Sequence, residues 1–326
     1  MRNKIALEEH YLTPGLLDDG YRAVDRAAGG GLVQRLLDTE QLRLEAMDRN
    51  GIATCVLSHS IAAAQGEADP GRAAALAKEL NDGLAELVAR HPGRFAAFAS
   101  IAMHDGHTAA AELRRCVTEL GFVGALLNGY QNVGDEATAL YYDDLRCDPF
   151  WEAAEDLSVP VYLHPRFAPP DQQRIYEGYR VMASAAWGFG VETAGHALRL
   201  IISGVFERHP GLTMILGHLG ETLPYAIGRF DQCFARDAPD QKLISQPPSH
   251  YFQQNFYVTT SGFFHTRALQ AAIAELGVDR VMFSVDYPFE NPDVGANWFD
   301  NLSLDPADHA KIGRDNAARL LGLPLP

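Results

Sequence analysis

Cysteine is scarce in this chain: four in 326 residues, at Cys55, Cys116, Cys147 and Cys233, with no CxxC pair among them. That argues against a thiolate-built metal site or a disulfide framework, and it fits a reducing cytoplasm. Long apolar runs are missing too. No stretch reaches the roughly 18 apolar residues of a membrane span. The N-terminus enters a strand-like segment almost at once, without an apolar signal region. Positive charge is in deficit, with 27 Lys and Arg against 42 Asp and Glu and a net charge of −15. This argues against nucleic acid or an anionic membrane as partner. An anionic substrate is still compatible, because a bound divalent ion can dominate its local field. The sequence shows no linker, low-complexity tract or internal repeat. With 47% hydrophobic and 21% charged residues it reads as folded rather than disordered.

What the chain does have is alternation. Short apolar runs at 4–7, 52–57, 94–101, 122–127, 159–164, 212–216, 255–260 and 280–285 read as buried parallel strands. Between and after them, helical spacing covers 37–49, 70–90, 108–120, 149–157, 187–207, a stretch from about 223, 266–276 and the tail at 305–321. Gly51 suits the stop of the first of these and Pro70 the first turn of the second. Eight such alternations predict an α/β fold, a (β/α)8 TIM-like barrel forming one domain over 1–326. Inserted loops are expected at its C-terminal face, and a helical tail at its C-terminus. Residues 11–36, with Gly29-Gly30-Gly31, read as a loop over the barrel mouth. Residues 165–185 are long enough for a lid or binding loop, and a polar stretch runs up to His250.

Four of the apolar runs end in groups that hold a metal or move a proton: Glu8-Glu9-His10, His164, His218 and Asp286. Barrel strands deliver their functional side chains at these ends. Glu8 and His10 are two apart, so on a strand they share a face while Glu9 points away. Two histidines with one or two carboxylates suit Zn²⁺, Mn²⁺ or Fe²⁺, and more oxygen would suit Mg²⁺. Taken singly, Glu-x-His is also an ordinary charged strand end and Asp286 an ordinary helix cap. Their joint placement at one rim is what points to a single ion. Glu221 lies three residues after His218 and can orient its ring, or the two simply cap the next helix.

Motifs in order along the whole chain carry a resemblance. They are Ile5-Ala6-Leu7-Glu8-Glu9-His10, Gly121-Phe122-Val123-Gly124-Ala125-Leu126-Leu127-Asn128-Gly129, Tyr162-Leu163-His164-Pro165-Arg166, Gly217-His218-Leu219-Gly220-Glu221, Thr259-Thr260-Ser261-Gly262 and the segment from Phe283 to Glu290. Together they resemble the amidohydrolase superfamily, and within it the metal-dependent decarboxylase branch. Hydrolases of that superfamily commonly open with His-x-His, whereas Glu8-Glu9-His10 is the decarboxylase variant. The resemblance implies Glu8, His10, His164 and Asp286 as metal ligands, Asp286 also as the acid, and His218 with Glu221 as a catalytic pair. It places Asn128, Phe189 and Arg229 around an aromatic pocket, although Arg229 also reads as a surface arginine. Phe289, with Trp187 and Tyr287, is a candidate ring-stacking wall. One divalent ion is implied, Mn²⁺ first and Zn²⁺ or Mg²⁺ next, in a homotetramer or dimer.

The expected reaction is non-oxidative, reversible decarboxylation of an ortho-hydroxybenzoate such as 2,6- or 2,3-dihydroxybenzoate. A metal-dependent lactone or C–C hydrolase is the alternative, and a non-catalytic barrel the third reading. Residues 11–36, 60–66 and Phe167 depart from the family pattern, so the ring substitution of the substrate stays open.

Overall fold

Eight parallel strand positions follow one another around a ring in this computed structural model, which describes residues 1–27, 29–238 and 243–326. Residue 28, in the loop after the first strand, and residues 239–242, in the polar stretch before His250, lie outside the described residues. The strands are Lys4–Tyr11, Ile52–His59, a third in two pieces (Phe95–Ala97 and Ala99–Ser100), Ala125–Asn128, Val161–His164, Met214–Leu216, Phe256–Thr259 and Val281–Met282. The first piece of the third strand pairs with the second strand, and its second piece with the fourth, so the chain crosses between partners at Phe98. The ring closes between the eighth strand and the first. Leu7 and Glu8 donate their N–H groups to Ser284 Oγ at 3.1 and 2.7 Å. Just beyond, Asp286 N–H reaches Glu8 O at 3.1 Å and His10 N–H reaches Tyr287 O at 2.7 Å. The architecture is the (β/α)8 barrel expected from the alternation.

Pleating explains how an oily interior gives way to a polar mouth. Ile5, Leu7, Val56, Phe98, Leu126, Tyr162, Ile215 and Met282 form one buried cluster inside the ring. Two residues further along their strands, on the same face, come Ser58, Asn128 and His164. The first strand departs from strict alternation. Its register against the second strand slips between Ala6 and Glu9: Ala6 faces Cys55, but Glu9 faces Leu57. One extra residue is accommodated there, as in a β-bulge. Leu7 and Glu8 therefore both turn inward, one into the apolar layer and the other into the mouth.

Several elements differ from the sequence expectation. The stretch at 11–36 carries two helices, Asp19–Ala27 and Leu32–Leu37, and the next helix starts only at Gln41. A hairpin, Gln131–Val133 with Asp135–Leu140, follows the fourth strand. The helix expected over 187–207 is Gly188–Ile202 and Val205–Arg208, divided at Gly204, whose φ of 79° no helix accepts. The tail comprises Pro306–Ala310, a wide turn at Lys311–Asp315 and Asn316–Leu321. Helices Pro248–Asn255 and Pro292–Asp300 were not legible, because Asp, Gly, Asn and Ser dilute their helical signal. Gly51 does close its helix, with φ 62°.

One core group carries a testable pH dependence. His196 is buried in helix Gly188–Ile202, where its Nε2 accepts the Tyr142 N–H at 3.1 Å. Burial, with help from the nearby Arg199, pushes it down to about 3. In the unfolded chain it returns to about 6.5. Between those values the unfolded state binds one more proton, so stability is full above the upper value and falls as the pH drops below it. Going from pH 7 to pH 5 should cost about 2 kcal/mol from this residue. Denaturant melts check this: His196→Gln should lose less stability over the same interval, and equal losses would refute the assignment.

Candidate metal centre

Four side chains meet at the barrel mouth. Glu8, His10, His164 and Asp286 each offer one ligand atom, and all four atoms lie within 4.8 Å of one another. Glu8 Oε1 stands 3.1 Å from His164 Nε2, and His10 Nε2 stands 3.4 Å from Asp286 Oδ1. Glu8 and His10 are fully buried, and the Asp286 side chain is 13% exposed. Glu8 Oε1, His10 Nε2 and Asp286 Oδ1 are buried without a hydrogen-bond partner. Orphaned donor atoms converging in this way are costly unless a cation uses them. The residues thus fit a divalent ion both in chemistry and in their unspent lone pairs. Their supports fit as well. His10 Nδ1 is 3.0 Å from Ser58 Oγ, which leaves Nε2 facing the cluster. A side chain at Gly217 would bring its Cβ to 2.5 Å from Glu8 Oε2, so glycine is required there.

Charge in the cluster is finely opposed. Burial would raise the Glu8 carboxyl, but His218, His10 and His164 hold it well below the usual carboxylate value. Burial would lower His10, yet the facing carboxylates of Asp286 and Glu8 push it up to about 9. His164 is lowered, by burial and by its neighbour His10. The site therefore draws positive charge strongly, and a metal must compete with a proton for it.

His218 stands beside the four. Its Nδ1 is 2.6 Å from Glu221 Oε1, and its Nε2 is 3.6 Å from Asp286 Oδ2 and 3.8 Å from Glu8 Oε1. Glu221 is buried and raised by that burial. Burial opposes charge on His218, but Glu221 and Glu8 hold it well above the usual histidine value. The backbone beneath is unusual. Residues 218–222 have φ of 50, 57, 87, 53 and 71°, and Asp286 has 74°. Only glycine adopts such angles freely, so these residues are held there at a cost by their surroundings. The pair is thus not an ordinary helix cap.

Of the expected pocket residues, Asn128 lies at the rim, in register with His164, with its Oδ1 unpartnered. Phe289 sets its ring against His10, with centroids 5.8 Å apart. Phe189 packs edge-on against Phe167 at 5.0 Å. Its neighbour Gly190 lies so close to Glu221 that a Cβ would stand 3.1 Å from Oε2. Arg229 is exposed on helix Leu223–Asp237, and no hydrogen bond or ion pair joins it to another described residue. Glu9 points away from the mouth, accepting from Ser284 Oγ and Val285 N–H at 3.1 Å each. Sequence reading assigned no role to Tyr162, whose hydroxyl donates to Glu8 Oε2. Its position two residues before His164, on the same strand face, was the available signal.

A family model described as amidohydrolase matches residues 33–323. The chain belongs to the amidohydrolase family. This amidohydrolase is 47% identical to the gamma-resorcylate decarboxylase of Polaromonas sp. over 327 residues, covering 99% of each chain. It is similar to a crystal structure of 2,6-dihydroxybenzoate decarboxylase complexed with 2,6-dihydroxybenzoate, at TM-score 0.92 and 47% identity, covering 99% and 100% of the two chains. It is also similar to the dihydroxybenzoic acid decarboxylase of Polaromonas sp. with bound manganese and the inhibitor 2-nitroresorcinol, at TM-score 0.94 and 47% identity, covering 99% and 98%.

Proposed function

We propose that this amidohydrolase is a carboxy-lyase that removes CO₂ non-oxidatively and reversibly from an ortho-hydroxybenzoate, with 2,6-dihydroxybenzoate the first candidate and a phenol the product. The convergence of Glu8, His10, His164 and Asp286 with their ligand atoms unspent carries the reading. Its full-length relatives are decarboxylases of such acids, which supports it over the hydrolase and scaffold alternatives.

In this reading Glu8, His10, His164 and Asp286 hold one divalent ion, Mn²⁺ first and Zn²⁺ or Mg²⁺ as alternatives. When bound, such an ion would supply Lewis-acid charge to attract an anionic, oxygen-bearing substrate. Asp286 carries a proton to the ring carbon bearing the carboxylate. The carboxylate bond then breaks, its electron pair restores the aromatic ring, and CO₂ leaves. His218, oriented by Glu221, presents Nε2 to the oxygen on which charge develops, 3.6 Å from Asp286 Oδ2. Phe289 and Phe189 form apolar walls for the ring, and Asn128 offers a polar contact. Arg229, on the exposed helix face, would act on substrate only through movement or a second copy. The apolar surface at Phe167, Ile175, Tyr179, Val181 and Trp187 supports a dimer or homotetramer.

No helix among the described residues is long and apolar enough to cross a membrane. The four unpaired cysteines are consistent with a cytoplasmic setting. We further assign all 326 residues to one barrel domain.

A panel of salicylate and dihydroxybenzoate isomers tests the reading, with acid absorbance and trapped CO₂ as readouts. At least one ortho-hydroxy acid should disappear with release of one equivalent of CO₂. If none does with Mn²⁺, Zn²⁺ or Mg²⁺ supplied, the proposed activity is wrong.

A further inference from the structure

Below the mouth, four hydroxyl and amide groups form a continuous line. Tyr162 OH donates to Glu8 Oε2. Thr259 Oγ1 lies 2.7 Å from the same tyrosine oxygen, and Ser261 Oγ lies 2.9 Å from Thr259 Oγ1. His218 N–H donates to Ser261 Oγ at 3.0 Å. Tyr162, Thr259 and Ser261 are fully buried. A carboxylate only accepts, and this fixes the direction of every link. Tyr162 gives its proton to Glu8, so Thr259 must donate to Tyr162, Ser261 to Thr259, and the His218 amide to Ser261. No hydroxyl hydrogen or lone pair in the line conflicts with its neighbours.

We propose that Tyr162 is a positioning residue that holds Glu8 by Oε2, so that Oε1 alone is presented to the cation, and that Thr259 and Ser261 extend this hold to the turn that aims His218. The inference rests on the metal reading above. Three observations support it. The two Glu8 oxygens have different surroundings: Oε2 is hydrogen-bonded, while Oε1 is buried, unpartnered and 3.1 Å from His164 Nε2. Gly217 leaves Oε2 the space it occupies, since a Cβ there would stand 2.5 Å from it. Residues 218–222 occupy left-handed backbone that needs outside support, and Ser261 binds the first amide of that turn. Without the tyrosine hydroxyl, Glu8 Oε2 would be a buried acceptor with no partner, and the carboxylate would no longer be fixed with Oε1 toward His164 and the ion site. Groups that orient a ligand in this way are typically worth 10–100-fold in metal affinity.

The test is Mn²⁺ binding to the metal-stripped full chain, read by competition with a chelating dye. Tyr162→Phe, which keeps the ring that fills the barrel, should bind Mn²⁺ roughly 10–100-fold more weakly. Thr259→Val should weaken binding by a smaller factor, and Thr259→Ser, which restores the hydroxyl, should return it to the wild-type value. Wild-type affinity in Tyr162→Phe overturns the proposal. If that variant does not fold, unchanged affinity in Thr259→Val overturns it. A wild-type chain that takes up no Mn²⁺, Zn²⁺ or Mg²⁺ would overturn the metal reading itself, and the positioning role with it.

Discussion

Replacing His164 by alanine should abolish the activity and the bound metal together. His164 ends the fifth strand with its Nε2 3.1 Å from Glu8 Oε1, in the centre of the ligand set. It is buried, and its removal leaves a gap beside orphaned atoms of Glu8, His10 and Asp286. Three ligands from rigid strands retain some attraction for a cation, but one lost imidazole removes a full coordinate bond. Elemental analysis after dialysis should find about one ion per chain in the wild type and well under a tenth of that in the variant. Turnover should fall to background and return only partly at high added metal. A His164→Ala protein that keeps both its ion and its rate would show that the ligand set is misassigned.

His218→Asn should separate chemistry from metal binding. Asparagine keeps a polar group near Glu221 but has no ring nitrogen to reach toward Asp286 Oδ2, from which Nε2 is 3.6 Å away. Positioned acid–base groups contribute about 10²–10⁴-fold, so kcat should drop by that order while metal content stays at the wild-type level. KM should move much less, since substrate is anchored elsewhere. Unchanged kcat would remove His218 from the chemistry. Asp286 cannot be separated so cleanly, because in the proposed mechanism it is ligand and acid at once and its replacement should impair both.

The barrel was legible because both faces of its strands are buried, which makes them continuous apolar runs, as in Val161–His164. The clustering of Glu8, His10, His164 and Asp286 was legible for a related reason: a charged or imidazole side chain at the end of such a run has no apolar partner. Tyr162 was not legible. Inside an apolar run a tyrosine reads as core, and only the folded ring brings Glu8 to its hydroxyl across 154 residues. The register slip in the first strand was hidden too, because pleat phase depends on the partner strand. Helix Pro292–Asp300 escaped because its composition is turn-like, and tertiary contacts of Ala296 and Phe299 hold it instead.

That slip in the first strand sets where the polar mouth begins. A regular pleat sends one side chain inward every two residues, or about 6.6 Å, whereas here Leu7 and Glu8 enter in succession. The carboxylate consequently sits closer to the apolar layer than a regular pleat would bring it, within reach of the buried Tyr162 hydroxyl. An unbroken pleat would have turned Glu8 outward and taken its oxygens away from His164.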